Sequence, residues 1–229
     1  DGRDPILVAV VAASLIAFVS LYLTHGITPI TSVALVSTLS ALALTLVLSA
    51  LFFSLAGFTG LASEEATLLP LLSIDIDLAS LLLGGAIIGA LGALDDVTVT
   101  QVATVAELRR RRPDLGIRAL MASGIRIGRE HIASTVNTLL LAYAGAGIPL
   151  LLLFAASDQS LSLTANSEVV AVEIVRTMCG SIGLVAAVPI ATGLAAVVES
   201  RIAPGGVAPV APSASTWDDF GPDREFWGR

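Results

Sequence analysis

The chain has 229 residues, of which 55% are hydrophobic and only 14% charged. A water-soluble domain of this length would carry far more charge, so the composition excludes one and points to an all-α, polytopic membrane bundle. The net charge of −7, with every basic residue an Arg, argues against a nucleic-acid-binding surface.

Five apolar segments are predicted to span the bilayer, at 5–24, 30–58, 78–106, 132–154 and 169–198. Each exceeds the roughly 18 apolar residues that a spanning helix needs. Arg109, Arg110, Arg111, Arg112, Arg118, Arg126 and Arg129 all fall between the third and fourth segments, which makes that connection cytoplasmic. Alternation then puts 57–77, with Glu64, Glu65, Asp75 and Asp77, on the outside, together with 155–168. The chain starts outside and ends in the cytoplasm, a multi-pass protein of the cell (inner or plasma) membrane. An odd number of spans with an outside start leads to the expectation that one helix and an external domain precede Asp1. Residues 1–202 form the predicted membrane domain. The stretch 203–229, rich in Ala, Pro, Gly and Ser, is a predicted disordered cytoplasmic tail. Its acidic-aromatic patches, around Trp217 and Phe220 and at Phe226 and Trp227, offer a surface to a partner. The lone Cys179 leaves no intrachain disulfide.

Asp95 and Asp96 are the only charges between residues 78 and 106. An ionised Asp at the centre of a spanning helix costs about 2.5–3.5 kcal/mol, so the pair must face other helices or water. Such residues mark an ion or proton path. Two neighbouring carboxylates also repel, so one of them is expected to carry a proton. Thr100 lies one turn from Asp96, Thr104 one turn further, and Gln101 on a neighbouring line. On the next helix His131, Ser134, Thr135, Asn137 and Thr138 form a polar face near the cytoplasmic end. Counted from residue 132, Asn137 and Thr138 should lie about 9–10 Å deep, level with Thr100 and Gln101. The proton- or ion-binding candidates are therefore Asp95, Asp96, Thr100, Gln101, Asn137 and Thr138. Backbone bonding or helix gluing is the competing reading for Thr98, Thr100, Ser134 and Thr135. His131, at the start of its predicted helix, reads as an interfacial, solvated side chain.

Glu173 and Arg176 are spaced for an ion pair, either structural or gating. Pro189 should loosen the last helix. Gly85, Gly89 and Gly92, with Gly180 and Gly183, are predicted to bring the third and fifth segments together near the acids.

The stretch from Gly89 through Asp95 and Asp96 to Gln101, the stretch from Gly128 through His131 and Asn137 to Leu139, and Glu173-Ile174-Val175-Arg176 resemble the signature of the YibE/F-like integral membrane proteins. The resemblance extends over residues 5–200 and implies a fold rather than a mechanism. A weaker resemblance is to one half of a resistance-nodulation-division transporter, including the Sec-accessory half-transporters. It makes these spans helices 2–6 of the half, with Asp95 and Asp96, the Arg-rich stretch to Arg112, and Asn137 and Thr138 as counterparts of that half's motifs. Half-transporter size implies a homo-oligomer or a paired half.

A secondary transporter or energy-coupling permease subunit, with the Asp pair as proton or ion site, is the leading functional reading. A non-transporting scaffold or accessory subunit is the alternative. No enzyme, metal or cofactor is expected. Two carboxylates are too few for a hard-cation cage. An aspartyl protease needs two acids on facing helices about 3 Å apart, whereas neighbours on one helix diverge by about 100°.

Overall fold

The computed structural model describes residues 4–61, 77–156 and 161–201. Every regular element among them is an α-helix: α1 (Pro5–His25), α2 (Pro29–Ala56), α3 (Leu78–Arg111), α4 (Ile117–Ala146), α5 (Ile148–Ala156), α6 (Leu161–Ala165) and α7 (Glu168–Arg201). The predicted tail and the acids Glu64, Glu65 and Asp75 lie outside the described residues.

Local chemistry sets the helix ends. Asp4 accepts from the Ile6 amide at 2.8 Å and Thr28 from the Thr31 amide at 3.1 Å, and each is followed by a Pro at the first helical position. Proline there loses no hydrogen bond, because the first amides of a helix have no internal partner. α2 ends at Gly57 with φ 66°, a left-handed turn that glycine adopts without strain. Arg109, Arg110 and Arg111 close α3, where positive charge suits the helix dipole.

α1, α2, α3 and α7 are long and apolar enough to cross a membrane. The expected fourth span, 132–154, is not one helix. Its first half belongs to α4, which starts at Ile117, fifteen residues earlier, and its second half is α5. Pro149 explains the break, since it lacks an amide proton and its ring clashes with the carbonyl four residues back. The early start follows from Leu120, Gly124 and Gly128, spaced by four, which form the buried face of α4.

α3 sits at the centre, packed by α1, α2, α4 and α7, while α2 and α7 pack on one another. Ala13 and Ala17 of α1, Ala41 of α2, Leu94 and Val97 of α3, and Leu184 and Ala187 of α7 meet in the core. Gly84 of α3 faces Pro5 and Ala9 of α1, and Gly124 of α4 faces Val105 of α3 and Thr192 of α7. Hence α1, α3 and α7 run one way, and α2 and α4 the other.

The end of the bundle opposite the arginines is tied by Glu168. Its carboxylate accepts from the Thr59 amide, the Thr59 hydroxyl and the Gly60 amide, each at 2.8 Å. The turn it holds is tight, for Gly60 has φ 78° and a Cβ there would overlap the backbone of Leu78 and Ala79. Glu168→Ala removes three bonds to a charged acceptor and is expected to cost about 1–3 kcal/mol locally. Hydrogen exchange at the Thr59 and Gly60 amides should accelerate accordingly, and unchanged exchange would contradict this role.

At the arginine-rich end, Arg109 Nη1 donates to the carbonyls of Pro113 (2.7 Å) and Leu115 (2.9 Å), which shapes the α3–α4 turn. Arg112 grips Asp114 through two bonds, Nε to Oδ1 at 2.9 Å and Nη2 to Oδ2 at 2.8 Å. That pairing holds the Asp114 carboxyl down at about 2. A depressed carboxyl stabilises the turn above the ordinary carboxylate range, and the contribution disappears as pH falls through about 2. Arg112→Ala should return Asp114 to the ordinary range, read by carbon-13 NMR titration of its carboxyl; an unmoved midpoint would contradict the pairing.

Candidate functional site

The two acids of α3 belong to different polar lines. Asp95, Thr98 and Gln101 follow at intervals of three, with Thr98 and Gln101 buried and Asp95 half-buried. Asp96 and Thr100 follow at an interval of four and are exposed, with Thr104 half-buried on the next turn. The 100° step between neighbours on a helix produces this division.

The inner line joins α3 to its neighbours. The hydroxyls of Thr38 on α2 and Thr98 lie 2.5 Å apart, both at 0% exposure. Thr38 also reaches the carbonyl of Ala34 (3.0 Å), and Thr98 that of Asp95 (3.1 Å). Two hydroxyl protons thus serve three contacts, so one contact is always without a proton. The Thr38 hydroxyl also neighbours the Asp95 carboxyl, whose Oδ1 is shielded from solvent and has no hydrogen-bond partner. One turn on, Gln101 Nε2 donates to the carbonyl of Gly124 (2.8 Å) and to the Thr192 hydroxyl (2.7 Å), tying α3 to α4 and α7. A Cβ at Gly124 or Gly128 would crowd Thr192, Val188 or Gln101 itself, so these two glycines let α4 approach the amide.

The outer line borders a groove of about 550 Å³ between the end of α1 and α4, lined by His25, Thr100, Thr104, Glu107, Arg111 and Ile127. This groove runs along α3 from Arg111 back to Val99 and Thr100, one turn short of Asp96.

Asn137 and Thr138 do not lie level with Thr100 and Gln101. Gly128 is the residue opposite Gln101, so Asn137, nine residues on, sits about 13 Å further along the bundle. The shift has the same origin as the early start of α4. Both side chains are exposed, and the Thr138 hydroxyl bonds back to the Ser134 carbonyl at 3.0 Å. For the same reason His131 is not a solvated interfacial group: it is half-buried, with Nε2 shielded and unpartnered.

Glu173 and Arg176 form the expected pair, Arg176 Nη1 donating to Glu173 Oε1 at 2.7 Å. Gly183, seven residues on, packs against Thr45, so the pair lies towards the end away from the arginines and outside the Asp95 cluster. Of the small residues, Gly183 makes the close contact and Gly180 has open space around it. Gly85, Gly89 and Gly92 lie on the exposed face of α3 rather than against α7; Gly84, one position earlier, is the glycine that packs, and it faces α1.

Thr38 and Thr192 are the site residues that the sequence reading passed over. The signal for Thr38 lay in α2, where Thr31, Thr38 and Thr45 recur every seven residues, all of them buried; Thr192 of α7 has no such repeat. That period keeps three hydroxyls on one face of the helix.

No curated protein and no solved structure matches the chain. The YibE/F-like protein family matches residues 1–201, a span that takes in the four membrane-length helices among the described residues and both polar lines of α3. The chain, with several helices apolar enough to mark a multi-pass membrane protein, belongs to the YibE/F-like family.

Proposed function

We propose that this chain is a secondary transporter or energy-coupling permease subunit in which Asp95 binds and releases the coupling ion, a proton. The observation that carries the reading is the shielded, unpartnered Asp95 Oδ1 beside two hydroxyls that share too few protons. A charged Asp95 can accept a hydrogen bond from the Thr38 hydroxyl, and a neutral Asp95 lets that hydroxyl turn back to the Ala34 carbonyl. Protonation of one carboxyl is thereby coupled to the hydrogen bonds that join α2 to α3. Asp96 and the groove from His25 to Thr100 supply water access from one side, which the positive-inside rule makes cytoplasmic, along with the C-terminus. The membrane is the cell's inner or plasma membrane, and the half-transporter layout is the architecture we favour for this family member. No covalent chemistry is assigned to it.

A scaffold is the second reading, favoured by the many hydroxyls that bond back to their own helix, as Ser37, Thr45, Thr104, Thr135 and Thr138 do. Proton flux into liposomes under an imposed potential separates the two. Asp95→Asn should abolish the flux and Asp96→Asn should reduce it. Equal flux in all three proteins would leave the scaffold.

A further inference from the structure

The arginines at the α3–α4 end of the bundle divide into two groups. Arg109 is held by the carbonyls of Pro113 and Leu115, Arg110 and Arg111 by Glu107, and Arg112 by Asp114. Arg118, Arg126 and Arg129 of α4 are exposed, and among the described residues no carboxylate pairs with them. At 100° per residue these three fall within an arc of about 80° centred on Ala122. That side of α4 is turned away from its buried face of Leu120, Gly124 and Gly128.

The unpaired arginines are also set deep. Gly124 and Gly128 both meet Gln101, so Arg126 and Arg129 stand level with it, about 15 Å along α3 from Arg111. The other helices present apolar side chains at this level. Val36, two residues from the Thr38 that meets Thr98, is 52% exposed, and Leu23, two residues before His25 of the groove, is 82% exposed. Arg126 and Arg129 therefore lie beside lipid rather than in bulk water. Helical side chains lean towards the helix N-terminus, which for α4 is the arginine-rich end. Both guanidiniums thus reach back over Ala122 towards the headgroup layer, their stems lying against the acyl chains.

We propose that this face of α4 binds the phosphate of an anionic phospholipid in the leaflet at the arginine-rich end. Charge and depth select that occupant together. The face carries three cations that the fold leaves unpaired, and a guanidinium grips phosphate through two parallel hydrogen bonds. A zwitterionic lipid brings its own cation to its phosphate and gains less. A soluble partner would have to displace lipid to reach the level of Gln101. Ala122, small and exposed, leaves the hollow in which the phosphate sits, and the acyl chains run past Ala133, exposed one turn beyond Arg129. The groove is on another side of α4, at Ile127, so the proposal is independent of whether Asp95 moves protons.

Tryptophan fluorescence in liposomes tests it. With Trp217 and Trp227 replaced by Phe, Ala133→Trp puts a single reporter beside the proposed acyl chains. Brominated phosphatidylglycerol should quench it at a tenth or less of the mole fraction that brominated phosphatidylcholine requires. Each arginine is expected to contribute about fivefold to that preference. Arg126→Gln with Arg129→Gln should therefore erase most of it, and Arg126→Lys with Arg129→Lys, which keeps the charge, should retain it. Removing the self-neutralised pair, Arg112→Gln with Asp114→Asn, should leave it unchanged. Val47→Trp on α2, at a position 63% exposed, should be quenched equally by the two lipids. Equal quenching of Ala133→Trp by both lipids, or a preference that survives the Gln pair, would overturn the proposal. A preference that appears only after deletion of residues 203–229 would also overturn it and assign the face to the acidic tail.

Discussion

Gly183→Leu is expected to prevent stable folding, while Gly180→Ala, less than one turn away on the same helix, should be neutral or mildly stabilising. At 183 a Cβ would overlap the Thr45 hydroxyl, and Thr45 is 2% exposed and bonded to the Ala41 carbonyl at 2.9 Å. It has no direction in which to retreat without breaking that bond or separating α2 from α7. Even Gly183→Ala should cost about 1–3 kcal/mol, the usual range for overpacking a filled core, and Leu considerably more. At 180 nothing stands within 4 Å, so alanine there gains up to about 1 kcal/mol of helix propensity with no clash. Unfolding in detergent reads both signs. Two variants with the same effect would show that α2 and α7 do not meet as described.

Thr38→Val should reduce proton flux about tenfold, equivalent to about 1.4 kcal/mol on the barrier, while leaving the fold within about 1 kcal/mol of the original. Valine keeps the shape of threonine but removes the hydroxyl shared between Ala34, Thr98 and the neighbourhood of Asp95. Ser40→Ala is the control. Ser40 lies on the same helix, bonds back to Val36 at 2.7 Å, and is remote from the acids on the exposed side. Equal loss in both variants would assign the effect to α2 in general, and flux retained in Thr38→Val would contradict a role for the shared hydroxyl.

Which parts of this arrangement could be read from the sequence follows from how far each signal reaches. Charge and hydropathy act through transfer free energy, which depends on residue type alone, so the spans containing α1, α2, α3 and α7 were legible, as was the cost of Asp95 and Asp96. Local spacing also sufficed for Glu173 and Arg176, which meet within one turn of one helix. The start of α4 was not legible by hydropathy, because Arg118, Arg126, Arg129 and Glu130 mask an amphipathic helix whose buried face consists of Leu120 and two glycines. That one boundary displaced the depths of Asn137, Thr138 and His131 together. Which acid faces inward depends on where α2 lies around α3, a tertiary fact with no trace in α3 itself. The same holds for the glycines: Gly84 and Gly85 are equivalent in sequence, and the position of α1 decides that Gly84 is the one that packs.

The central claim is that Asp95 takes up and releases a proton inside the bundle, and infrared difference spectroscopy of the lipid-reconstituted protein during a pH titration observes it most directly. A carboxyl band that changes with pH, is lost in Asp95→Asn and persists in Asp96→Asn is the predicted result. A band that survives Asp95→Asn unchanged would contradict the account.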